Sequence, residues 1–195
     1  MAGSTYYDTE ADRYDASRGG PARAEAAAVA IAALVPPGRL LDVAGGTGIV
    51  SAELARRGFE VLVADLSPGM LRLAAARLPG RTLVASGDCL PVAAASVDVL
   101  TTIWLLHLLP VATADAVLAE AARVLRPGGH LVTTVDKRQA HGHDGAESDD
   151  ADRVRRTAAL LGLEESGRTT FSGPSAWGSA TEGDPVFPLL AFRRD

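Results

Sequence analysis

The sequence predicts an α/β protein: a doubly wound, open sheet of parallel strands with helices on both faces. Three observations carry this. Short apolar runs alternate with helical stretches along the chain. Proline and glycine clusters punctuate most of the junctions. The first apolar run ends in glycines and passes directly into a helical pattern.

Residues 5–18 read as a polar, aromatic-bearing helix or arm. Pro21 can open a second helix at its first position, running through an Ala-rich segment to about Leu34, where Pro36-Pro37-Gly38 must break it. Arg39–Val43 suits a buried parallel strand. Residues 48–57 read as a helix stopped by Gly58. Glu60–Ala64 is the second strand, Pro68–Arg77 a helix closed by Pro79-Gly80, and Arg81–Ala85 the third strand. Val97–Ile103, rich in β-branched residues, is the fourth strand. Thr113–Leu125 is a helix ended by Pro127-Gly128-Gly129, and Leu131–Val135 is the fifth strand.

Beyond Asp136 the texture changes. Residues 137–150 are polar and Gly-containing, which predicts a mobile loop. Asp152–Leu161 is helical with Gly162 as its stop. Glu164–Phe171 and Val186–Arg193 are expected to pair as the last two strands. The connection between them holds Gly173, Pro174, Gly178, Gly183 and Pro185. The sequence shows no repeat and no linker, so one domain over residues 1–195 is expected.

Composition bounds the function. The chain has 195 residues, 47% apolar and 22% charged, with a net charge of -5. There is no basic run, Arg193-Arg194 at the tail being too short to count, which argues against a nucleic-acid partner. A single cysteine, Cys89, excludes an internal disulfide framework and a Cys-rich zinc site. Ala22–Val35 is too short to span a bilayer and is interrupted by Arg23 and Glu25, so no membrane partner and a cytoplasmic location are expected.

The ends of the strands carry the chemistry. The turn Ala44-Gly45-Gly46-Thr47-Gly48 lets a ligand approach the backbone closely. The helix N-terminus behind it suits an anionic carboxylate. The same turn also serves in purely structural roles. Asp65 ends the second strand, where its carboxylate can accept from both hydroxyls of a ribose or simply face solvent. Asp88, after Gly87 in Ser86-Gly87-Asp88-Cys89-Leu90-Pro91, can accept from an adenine amine or cap the following turn. Leu66 and Leu90 are the apolar side chains placed to sandwich a ring.

These residues resemble a known family. Leu41 to Gly48, Asp65, Gly87-Asp88, Ser96-Val97-Asp98-Val99 and Arg123 to Gly129 appear in the order and spacing of the class I S-adenosylmethionine (SAM)-dependent methyltransferases. The glycine turn is similar to that of the ubiquinone and menaquinone C-methyltransferases. The opening segment from Tyr7-Asp8 to Arg18, with Ala11, Tyr14 and Asp15, is similar to the N-terminal cap of that small-molecule group. The resemblance implies a Rossmann-like sheet of seven strands, the last antiparallel, with residues 1–20 capping the site.

It also implies SAM as cofactor. Ala44, Gly45, Gly46 and Gly48 would line its methionine part, and Asp65 would hold the ribose. Leu66 and Leu90 would flank the adenine, Asp88 and the Cys89 backbone would read its edge, and Tyr7 and Tyr14 would close over it. One departure is Ala44, where the usual turn has glycine. The acceptor would be a small molecule, such as a secondary-metabolite or quinone-like intermediate. The chain itself would be a monomer or a dimer.

For the acceptor side, His107 follows the fourth strand. It is a candidate general base, or a histidine merely packed at the start of the next segment. Trp104 is either acceptor wall or core. His141-Gly142-His143-Asp144 offers metal-ligand types, but no further ligand lies nearby in sequence. No metal is therefore expected there, and His141 and His143 are instead candidates for a lid over the acceptor pocket. Two rival functions stand beside methyl transfer. A nicotinamide-dependent oxidoreductase would want a third glycine where Ser51 stands, and a Tyr-x-x-x-Lys pair that the sole lysine, Lys137, does not complete. A module that binds SAM without chemistry is the other.

Overall fold

The computed structural model describes residues 2–174 and 184–195. Its helices are α1 (Ala2–Ser17), α2 (Gly20–Leu34), α3 (Ile49–Arg56), α4 (Pro68–Arg77), α5 (Val111–Val124) and α6 (Ala151–Leu160). Its strands are β1 (Arg39–Val43), β2 (Glu60–Asp65), β3 (Thr82–Val84), β4 (Val97–Thr102), β5 (Leu125–Thr134), β6 (Leu163–Ser172) and β7 (Val186–Arg194). They form one seven-stranded sheet in the order β3-β2-β1-β4-β5-β7-β6. Strands β1 to β5 pair in parallel, and β7 runs antiparallel between β5 and β6. The expected Rossmann-like fold with an antiparallel last strand is therefore what the chain adopts.

The strands are apolar on both faces because both faces are covered. Leu40, Val61, Val63, Val99, Val132, Leu189 and Ala191 point into one core with α2, α3 and α4. Their neighbours Leu41, Ala64, Leu100, Leu131, Leu190 and Phe192 point into the other, with α5 and α6. The period of two along each strand thus divides the apolar residues between two layers.

Two regions differ most from expectation. β5 begins at Leu125, which pairs with Val97, rather than at Leu131. The Pro127-Gly128-Gly129 cluster ends the helix as predicted but sits inside the strand as an irregularity in its register. Glycine is required there: a Cβ on Gly129 would come within 2.9 Å of the Arg126 carbonyl and 3.0 Å of the Asp98 carbonyl. The second difference is the polar segment 137–150, expected as a mobile loop. It holds two short 3-10 turns, at Gln139–His141 and Glu147–Asp149. It is also fastened at its ends. The Lys137 N–H donates to Asp149 Oδ2 at 2.8 Å, and the Ala151 N–H donates to Asp136 Oδ1 at 3.1 Å. Of the loop between β6 and β7, residues 175–183 lie outside the described residues.

Candidate active site

The strand order reverses between β1 and β4, and ligands of open α/β sheets bind outside the carboxyl ends at such a point. A cleft of about 560 Å³ lies there. Its walls include Ala44, Gly45, Gly46, Asp65, Leu66, Gly87, Asp88 and Trp104, so the three strand-end loops do converge.

The turn after β1 is tightly wound. Ala44 and Gly46 have φ of 57° and 56°, in the left-handed region. For alanine this costs about 1 kcal/mol, which explains why glycine is usual at this place. A Cβ on Gly45 would meet Asp42 Oδ2 at 2.7 Å and Val63 Cγ1 at 2.8 Å. Gly48 is different. It is buried, outside the cleft lining, and a Cβ there would approach the Ala74 Cβ at 3.0 Å. It lets α3 pack on α4 and opens α3.

Beneath the turn, buried Asp42 accepts from Thr101 Oγ1 at 2.7 Å and from Ser51 Oγ. Burial, the largest influence, pushes its carboxyl up to about 6. An acid whose folded value exceeds its unfolded one favours folding while protonated, so this favourable difference is lost as pH rises from about 4 to 6. The rise from 3.8 to about 6 corresponds to roughly 3 kcal/mol. Asp42→Asn should therefore be more stable than wild type in urea denaturation at pH 7, with the gap closing toward pH 4. A gap independent of pH would contradict this.

At the end of β2, Asp65 ties two turns together. Its Oδ2 accepts from the Gly46 N–H at 2.9 Å and its Oδ1 from the Ser67 N–H at 2.8 Å. Burial outweighs these bonds and raises its carboxyl above the ordinary range. Each oxygen retains a lone pair for a ligand hydroxyl. Leu66, 55% exposed, presents an apolar side chain to the cleft. Asp88 is exposed at the cleft wall and accepts from Ser86 Oγ. Cys89 is exposed and Leu90 is buried, and neither lies on the cleft lining. The Leu90 N–H donates to Glu120 at 2.7 Å, so this residue joins the core beneath α5.

The N-terminal helix lies over the cleft because acids along it dock on α4 and the first turn. Asp8 accepts from Ser67 Oγ at 2.5 Å and the Gly69 N–H at 2.8 Å. Asp12 pairs with Arg72 at 2.5 Å, and Asp15 with Arg77 at 2.5 Å and Thr47 Oγ1 at 2.6 Å. Tyr7 and Tyr14, with ring centroids 6.0 Å apart, thereby reach the cleft wall. Burial foremost raises both phenols above their ordinary value.

A second, smaller cavity of about 80 Å³ adjoins the cleft and shares Tyr7, Tyr14, Ile49, Val50, Trp104 and Leu108 with it. His107 is on its wall, with Arg18, Arg23 and Lys137. Burial, then the charges of Lys137, His141, Arg138 and Arg18, lower the His107 imidazole to about 3. His141 lies behind this wall, with its ring 5.4 Å from that of Phe187. Burial, then Lys137, holds it at about 4. His143 is exposed and lines neither cavity. Among the described residues no His, Cys, Asp and Glu cluster could hold a metal ion.

Sequence reasoning passed over Arg23 and Lys137. The only signal was a charge interrupting an Ala-rich helix and a lone lysine after β5. It also passed over Met70, Leu105 and Val117, which line the large cleft and read in sequence as ordinary core.

This arrangement defines an α/β domain with an open cleft at the carboxyl ends of its central strands. Residues 41–133 match the family model described as a methyltransferase domain. A demethylmenaquinone methyltransferase of Beutenbergia cavernae is 44% identical over 99 residues, which cover 50% of this chain and 40% of that relative. The chain spans less than two thirds of the curated relatives it matches. Two solved structures share the fold. The CcbJ methyltransferase of Streptomyces caelestis has a TM-score of 0.75 at 20% identity, covering 98% of both chains. The [4+2]-cyclase SpnF has a TM-score of 0.74 at 20% identity, covering 98% of this chain and 94% of that one. By the family match over residues 41–133 and by its fold the chain is similar to SAM-dependent methyltransferases, and the cofactor those proteins use is SAM.

The residues present fit that cofactor. The cleft is within the range of small-molecule sites. It offers an exposed leucine beside an anchored carboxylate, and a turn with no side chain at Gly45 and Gly46. No described helix is long and apolar enough to cross a membrane.

Proposed function

We propose that this chain binds SAM in the large cleft and directs its methyl group to a small organic acceptor seated beside Trp104 and His107. The observation that carries this is the meeting of Asp65, Asp88 and the glycine turn on one cleft. In this reading the main chain at Ala44, Gly45 and Gly46 borders the amino-acid part of the cofactor. Asp65 accepts from the ribose hydroxyls, Leu66 covers one face of the adenine, and Asp88 with the Cys89 backbone meets its edge. Gly48 and Leu90 serve packing instead. Residues 1–20 act as a cap within a single domain, and Tyr7 and Tyr14 exclude water.

SAM when bound supplies a methyl carbon already activated by a sulfonium. The protein's task is then alignment, which contributes roughly 7 to 11 kcal/mol of barrier lowering in well-oriented systems. His107 is assigned to the acceptor wall. An imidazole held at about 3 is neutral but weakly basic, so an acceptor that arrives ionised needs nothing from it. The rate profile should accordingly show no histidine inflection between pH 5 and 8. His107→Ala should fall well short of the roughly 100-fold loss expected for a removed base. A loss of that size would restore His107 as the base.

The relative named for demethylmenaquinone supports a quinone-like or secondary-metabolite acceptor, and a cytoplasmic place is proposed with it. A second reading is SAM binding without methyl transfer, since a structure described as a [4+2]-cyclase shares this fold. Calorimetry with SAM and with NADH, followed by a product screen using isotopically labelled SAM, tests both. NADH binding without SAM binding would end the methyltransferase reading. SAM binding without any labelled product would favour the second.

A further inference from the structure

The small cavity beside the cleft has an imbalance that the cofactor reading leaves unexplained. Arg23, on α2, is 5% exposed, and its side chain forms no hydrogen bond or ion pair with the described residues. Its guanidinium carbon sits 4.1 Å from the centroid of the Trp104 ring and 4.5 Å from that of Phe187. Ring faces recover part of the hydration a buried cation loses, but they offer no lone pair for a full hydrogen bond to its N–H groups. Two further buried nitrogens of the same wall, Trp104 Nε1 and His107 Nδ1, also lack a partner among the described residues. Trp104 itself is held at a φ of 56°, unusual for an aromatic residue and characteristic of functional sites.

The charges agree. Arg18, Arg23 and Lys137 line the cavity, with Arg138 and His141 behind Lys137. The one carboxylate on the lining, Asp15, is already engaged by Arg77 and Thr47. Asp149 opposes them near Lys137: its Oδ2 takes the Lys137 backbone N–H, and its buried Oδ1 has no hydrogen-bond partner among the described residues. Burial foremost lowers Arg23 to about 10 and Lys137 to about 8, and both stay charged at neutral pH.

We propose that this cavity is an acceptor subsite for an anionic group of the carboxylate class, bound by Arg23 with Lys137 beside it. The cavity's 80 Å³ suits such a group and not a whole ligand, whose body would extend past Trp104 into the cleft. The aromatic wall of Trp104, Phe171 and Phe187 behind it favours an aromatic or otherwise flat acid. The proposal rests on the methyltransferase reading above. The cofactor's own carboxylate carries the same chemistry, and the test separates the two sources.

The test is calorimetry on the full chain, first with SAM, then with benzoate and its neutral analogue benzamide in the presence of S-adenosylhomocysteine. Benzoate should bind at least tenfold more tightly than benzamide. Arg23→Met and the more exposed Lys137→Gln should each shrink that preference severalfold while SAM affinity stays within twofold. Arg23→Lys should retain most of it. Equal binding of benzoate and benzamide, or binding of neither, would overturn the subsite. So would variants that lose SAM affinity in step with benzoate, since the cavity would then hold the cofactor's carboxylate. A wild-type chain that fails to bind SAM would instead remove the methyltransferase reading.

Discussion

Replacing Asp65 with alanine is expected to weaken SAM binding by roughly 10- to 100-fold, read by calorimetry. Hydrogen bonds to a charged group are worth about 1.5 to 3 kcal/mol, and each 1.4 kcal/mol is tenfold in affinity. Near-wild-type affinity would contradict the ribose role. From the sequence alone, the ligand-free melting temperature should barely move. The structure changes that expectation. The Gly46 and Ser67 N–H groups both donate to this carboxylate, and alanine leaves them unpaired. The expected cost is about 1 kcal/mol, because the cleft admits water to the freed donors. That corresponds to a drop of about 2 to 4 °C for a chain of this size. Asp65→Asn retains one carbonyl oxygen, so it should melt nearer wild type while still binding SAM more weakly.

The largest stability effect is expected at Phe187, which is 0% exposed on β7. Its ring packs 5.7 Å from Trp104 and 5.3 Å from Phe171 by centroid, and the Arg23 guanidinium lies over it. Phe187→Ala empties a space that these neighbours cannot all move to fill, and such truncations cost about 3 to 5 kcal/mol. Urea denaturation should show that loss. The control is Leu160→Ala, since Leu160 is 89% exposed and its truncation should stay within about 0.5 kcal/mol. A Phe187 loss below about 1 kcal/mol would mean that the β7 wall repacks freely, and the geometry behind Trp104 would lose its support.

Much of the fold was legible because its signals are local. β1 and α4 fall where a short apolar run and a helical stretch from Pro68 to the Pro79-Gly80 break put them. Ser67 accepts from the Met70 N–H, a cap written in three residues of sequence. The places of Asp65 and Leu66 on the cleft were readable for the same reason, since a strand end delivers them to the sheet's carboxyl edge regardless of the rest. Gly48 and Leu90 show the limit. Each fits the pattern of a ligand contact, and the structure places both outside the cleft lining, beside Ala74 and Glu120, which are distant in sequence.

What the sequence determined by itself was the alternation of elements, the glycine turn and the two acidic strand ends. Periodicity, proline and glycine act over a few residues and need no partner. Tertiary structure alone decided that β7 inserts between β5 and β6. It alone brought Arg23 of α2, His107 after β4 and Lys137 after β5 around one cavity. A cation's environment depends on which distant groups share its desolvated space, and no local pattern encodes that neighbourhood.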